Sequence, residues 1–138
     1  MADLPITGQP RDLLLGPDND LVMTATGLSW VTGVAAVAQS CRIAVQMFKA
    51  EWFADLELGI AYFENDDRTE GILGVKPKIA ILRARNDYHR MLSAVVGVLE
   101  IKKLEVTYVN TTRTLVISWI VRTAEGDTVL DTIRKATP

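Results

Sequence analysis

The sequence predicts an α+β fold: an N-terminal hairpin, then two main helices packed on a small, mostly antiparallel sheet with a C-terminal hairpin. Three observations carry that reading. Two long stretches, about 34–49 and 77–96, repeat apolar residues at three- and four-residue steps, the period of a helix with a buried face. After Gly97 the period falls to two, the alternation of a half-buried strand. Two short β-prone runs, Leu21–Thr24 and Leu28–Val31, flank a turn at Ala25-Thr26-Gly27.

Each element follows from its residues. Residues 1–20 are rich in Pro, Gly and Asp, cannot bury much by themselves, and read as a flexible or partner-ordered arm. Residues 21–138 read as a single domain, because a chain of 138 residues with 49% hydrophobic content supports one core. The first helix follows Thr32-Gly33, with Val34, Val37, Cys41, Val45 and Phe48 as its stripe. Ile43 and Met47 lie off that stripe, so the helix is apolar on a second face that a neighbouring subunit is expected to cover. An aromatic connection, Glu51–Phe63, leads to a polar loop at 64–71.

Pro77 suits the first turn of the second helix, where a missing N–H costs nothing. Its stripe is Ile81, Ala84, Tyr88, Met91, Leu92 and Val95, and Gly97 is the expected cap. Leu104, Val106 and Tyr108 then alternate with polar residues along a strand, and Asn110–Arg113 makes the turn. The next strand, Thr114–Arg122, is apolar on both faces, which calls for a cover on each. Ala124–Asp127 turns into a last strand-like segment, Thr128–Ile133. That leaves an exposed edge near the C-terminus, to be protected or used for pairing.

Chemistry is sparse. The net charge is -2, so no basic excess recommends nucleic acid as a partner, and the helix cations Lys76, Lys78, Arg83, Arg85 and Arg90 read as an ordinary charged surface. The single cysteine, Cys41, sits among apolar neighbours and reads as a small buried hydrophobe. The single histidine, His89, has no second histidine or cysteine at ligand spacing, so neither a metal nor a cofactor is expected. Neither a G-x-S-x-G elbow nor a phosphate-binding G-K-[ST] ending occurs. Glu51, Asp55, Glu57 and Glu64 lie near aromatic residues, the composition a glycosidase draws on, but spacing by itself is a weak signal. With no signal peptide and no apolar run near 20 residues, the chain is expected to be made in a cytoplasm with no membrane partner.

One stretch is more distinctive. The helix Gly33-Val-Ala-Ala-Val-Ala-Gln39 runs on to Lys49-Ala and directly into Glu51-Trp52-Phe53-Ala-Asp-Leu-Glu-Leu-Gly59-Ile60. This resembles the wedge and sheath-initiator family of contractile phage tails, which has a counterpart in type VI secretion baseplates and has been labelled lysozyme-like. Over about residues 18–125 the second helix, the Gly97–Glu100 exit and the final hairpin follow in the family's order. The family also carries a Glu-Pro-Arg motif before its terminal strands; here the matching residues are Glu100-Ile101-Lys102. Lysine lacks the planar fork of arginine, so a bidentate carboxylate contact is not available at that position.

The resemblance implies a structural subunit, not an enzyme, sited in the tail baseplate of the virion after assembly in the host cytoplasm. Its partners would be other wedge proteins, met through the helices, and the sheath protein, met through the C-terminal strands, with tube or hub proteins nearby in a six-fold assembly. The interaction residues expected on that basis are Glu51, Trp52, Phe53, Glu100, Lys102, Trp119 and Val129. The rival expectation is a peptidoglycan hydrolase.

Overall fold

The computed structural model describes residues 10–63, 71–128 and 131–136. The chain begins with β1 (Arg11–Leu13), which returns to pair antiparallel with β4 (Trp30–Thr32) after the hairpin β2 (Met23–Thr24) and β3 (Gly27–Leu28). The hairpin read from the sequence is therefore present, with Ala25-Thr26 at its tip. Its ladder runs on past the short strands, since Leu14 donates to Ser29, Ser29 to Val22 and Val22 to Leu14, all backbone to backbone. Part of the Pro/Gly/Asp-rich stretch is thus strand, tied to the residues that lead into the first helix.

Helix α1 (Gly33–Gln46) buries Ala36, Val37, Cys41 and Val45. It is shorter than the periodicity suggested, and the reason is local: Met47 leaves helical geometry and Phe48 forms a parallel bridge to Ile60. Phe48 is therefore outside the helix and exposed, not part of the buried stripe. After a 3-10 turn at Ile72–Gly74, α2 (Pro77–Ala94) starts on its proline, as expected, and buries Ala80, Ala84, Tyr88, Met91 and Leu92. It ends before Gly97, which instead sits in the reversal beyond it with φ +99; a Cβ there would meet Val37 Cγ2 at 2.7 Å.

The main sheet is antiparallel. Its centre is β6 (Thr114–Thr123), flanked on one side by β5 (Glu100–Val109) and on the other by β8 (Asp131–Ala136). A short β7 (Gly126–Asp127) folds back on the end of β6 inside the expected Ala124–Asp127 turn. The last strand starts later than the sequence suggested and continues to Ala136. One face of β6, made of Leu115, Ile117, Trp119 and Val121, is fully buried against α2, with Val106 joining from β5. On the other face Val116 and Ile120 are half-buried, lying in register with Thr107 and Arg134 and with Lys103. The cover for that second face includes the stems of long polar side chains, which shield apolar surface while their heads stay wet. No helix among the described residues is long and apolar enough to cross a membrane.

Candidate assembly surface

The second face of α1 is where the fold becomes specific. Gln39 is only 3% exposed, although it belongs to a residue type that is mostly solvated. Its amide grips the strap that follows β1: Nε2 donates to the Leu13 carbonyl at 2.8 Å, and Oε1 accepts from Leu15 N–H at 3.0 Å. One side chain thus replaces a strand neighbour and satisfies both backbone groups. The strap divides the outer side of α1 into two grooves. One of about 470 Å³ is lined by Leu14, Val31, Val34, Ala38 and Arg42. The other, about 600 Å³, is lined by Leu15, Ile43, Met47, Glu51, Trp52 and Leu58. The apolar second face read from the sequence is therefore partly covered by the chain's own N-terminal strap.

The connection after α1 is a compact elbow closed by its own backbone. Lys49 N–H donates to the Ile60 carbonyl and Ile60 N–H to that of Met47, so its ends are clamped together. Gly59 has φ +111, and a Cβ on it would lie 2.6 Å from the Phe48 carbonyl, so only glycine closes this loop. Arg90 of α2 holds the closure from outside, donating from Nη2 to the Gly59 carbonyl at 2.9 Å. Glu51 accepts from Phe48 N–H at 2.9 Å, Asp55 accepts from Glu57 N–H at 3.0 Å, and Glu57 pairs with Lys49 at 3.2 Å. Of the carboxylates weighed as catalytic pairs, Glu51, Asp55 and Glu57 thus each have a partner within the elbow. Trp52 stays half-exposed at the groove, and Phe53 is 89% exposed.

Beneath the elbow lies a buried hydroxyl chain. Tyr62 has one proton and the Val45 carbonyl can only accept, so Tyr62 donates to Val45 and Tyr88 donates to Tyr62. Val45 is in the last turn of α1, where carbonyls lack helical partners, so Tyr62 completes the helix end. Burial raises both phenols, Tyr88 to about 12 and Tyr62 further, the latter helped by the neighbouring Tyr88. Lys135 from β8 lies 4.7 Å from the Tyr62 ring centroid and 5.9 Å from that of Phe48. Burial lowers the pKa of its ammonium group, while the ring faces attract the cation.

At the far end of the sheet, Glu100 and Lys102 fall on β5, where the register shifts between Ile101 and Lys103. Each has a local partner: Arg122 Nε lies 3.4 Å from Glu100, and Lys102 Nζ donates to Asp127 at 2.9 Å. Side chains that remain about half-exposed in such pairs are weakly held and free to exchange partners.

The expected interaction residues therefore divide. Glu51, Trp52 and Phe53 come together on the exposed elbow, and Glu100 and Lys102 form a separate charged cluster. Trp119 is not on the surface of this chain. It is 1% exposed in the core, with its ring 6.1 Å from that of Tyr88. Its position on the inner face of β6 follows from the two-residue period. Val129 lies outside the described residues, as do Glu64 and most of the polar loop. Gln39 and the Tyr62–Tyr88 pair escape sequence reading. The signals available were Tyr88 in the buried stripe of the second helix and, for Gln39, its place at the end of the distinctive Gly33–Gln39 run among the small residues Ala35, Ala36 and Ala38.

These features define a class: a small α+β module whose distinctive parts are an exposed elbow, a strapped helix and two sheet edges. The model of the contractile injection system sheath initiators matches residues 11–126, most of the chain. The protein belongs to that family, a structural component of contractile injection systems. Comparison with curated proteins returns no match.

Proposed function

We propose that the chain is a baseplate subunit of a contractile phage tail that starts sheath assembly by lending the β8 edge of its sheet to strands of the sheath protein. Family membership supports the sheath partner. The observation that carries the choice of edge is the contrast between the two outer strands. β5 has an irregular register at Lys102, a device that discourages pairing. β8 keeps an unbroken register over six residue pairs with β6. An added strand gains main-chain hydrogen bonds along such an edge, with alternate side chains giving specificity.

In the same reading, the elbow and the outer side of α1 join wedge partners. Trp52 and Phe53 supply aromatic anchors of the kind that dominate protein interfaces, and the groove beside Trp52 receives an apolar side chain of the partner. Glu100 and Lys102 dock against the baseplate core by exchanging their present ion-pair partners. In a six-fold assembly the copies would then present their edges together to the first sheath ring.

The test is proline scanning of β8 in tails assembled from purified components. Successive residues of an antiparallel strand turn their N–H groups alternately toward and away from the neighbour. Of Thr132→Pro and Ile133→Pro, one therefore breaks the β6 ladder and the other removes only an outward donor. The outward variant is expected to fold normally and to give baseplates bearing no sheath; normal sheath on those baseplates would sink the proposal. The same failure is expected of Val129→Pro.

A further inference from the structure

The elbow and α2 carry two exposed apolar patches of opposite charge. On the elbow, Trp52, Phe53 and Leu56 face solvent among the carboxylates of Glu51, Asp55 and Glu57. On the N-terminal half of α2, Ile79 and Leu82 face solvent one turn apart, with Lys76, Lys78 and Arg85 exposed around them. The helix needs neither apolar residue outward for its own core, which Ala80, Ala84, Tyr88 and Leu92 supply. Large apolar side chains rimmed by charge mark an interaction surface more than a solvated face.

We propose that these patches pair two copies of this chain, the elbow of each seated on the α2 of the other. Charge decides the occupant: the carboxylates of one patch, in excess even with Glu57 paired to Lys49, meet three cations around the other, while either patch against itself sets like charges together. Geometry makes the pairing reciprocal. Arg90 shares a face of α2 with Ile79, eleven residues earlier, and donates to the Gly59 carbonyl at the foot of the elbow, which sets the elbow at the far end of the face that carries the basic patch. A twofold axis near Arg90 then forms the elbow-to-helix contact twice and closes the assembly as a dimer. Such a dimer masks Phe53 until a partner displaces it. The inference rests on the two patches and not on the sheath-edge reading, and its test does not involve sheath.

The test uses the full chain in sedimentation velocity over a concentration series at low and high salt. The wild type is expected to sediment as a dimer at low salt and to dissociate as salt rises. The pair Lys78→Glu with Arg85→Glu, and separately Asp55→Lys with Glu57→Lys, should each weaken self-association by at least about tenfold. Mixing the two variants should restore a heterodimer, because each supplies the charge the other lacks. Far-UV circular dichroism checks their folding, and Phe53→Ser gives the same loss with the elbow charges intact if the acidic-to-basic variant fails to fold. A wild type that stays monomeric at every concentration overturns the proposal. So does a dimer insensitive to both charge reversals, or a mixture that stays dissociated.

Discussion

Replacing Gln39 with leucine should free the strap that crosses α1, and the size of the effect follows from two hydrogen bonds. The substitution keeps the volume of the side chain but removes the acceptor for Leu15 N–H and the donor to the Leu13 carbonyl. Stranding a buried polar group costs about 1–3 kcal/mol. Both groups here are only part-buried, so water recovers some of that, and a total loss of about 2–3 kcal/mol is expected. With a urea slope of about 1–3 kcal/mol/M for a small protein, the midpoint should fall by roughly 1 M. Hydrogen exchange gives the location: amides of Leu14, Leu15 and Val22 should lose protection, while those of β5 and β6 keep theirs. A midpoint unchanged within error, with full protection at Leu15, would refute the claim that this one amide holds the strap.

Four further outcomes are expected. Gly59→Ala forces a Cβ against the Phe48 carbonyl at a positive φ, so it should cost at least about 2–3 kcal/mol in urea unfolding and raise proteolysis within 48–60. Trp119→Ala should cost about 3–5 kcal/mol, the range for emptying an aromatic site in a core, whereas a surface contact residue would cost little. Stability should fall as pH rises above about 10, the unfolded tyrosine value, and through the folded value of about 12 for Tyr88, because a raised phenol stabilises the fold only while protonated. Tyr88→Phe should flatten that alkaline decline in pH-dependent unfolding. Zymography on peptidoglycan with wild type and Glu51→Gln should show no clearing; clearing that the substitution abolishes would revive the hydrolase reading.

The helices and the main hairpin were legible in the sequence because local patterns specify them. Ala84, Tyr88 and Leu92 keep the helical period, and Leu115, Ile117, Trp119 and Val121 keep the strand period, so the faces they bury could be read directly. Phe48 was misread because periodicity does not see a chain reversal: the residue continues the stripe in sequence but leaves the helix to bridge Ile60. The final strand was misplaced for a related reason. Asp131-Thr-Ile-Arg-Lys-Ala136 has one large apolar residue and no alternation strong enough to mark its register, which comes from pairing with β6 across the sheet. Gln39 and Tyr62 act on backbone groups distant in sequence, and nothing local announces such partners. The elbow stood out as a run of distinctive residues, but its exposure became visible only with the Gly59 closure and the Arg90 clamp in place.

The central claim, that sheath assembly begins on the β8 edge, is tested most directly by photocrosslinking from that edge. A photoreactive residue placed at Thr132 or Arg134, both exposed, should crosslink to the sheath protein in assembled tails; the same probe at Lys103 or Glu105 on β5 should not. Sheath crosslinks from β5 alone, or from neither edge, would contradict it.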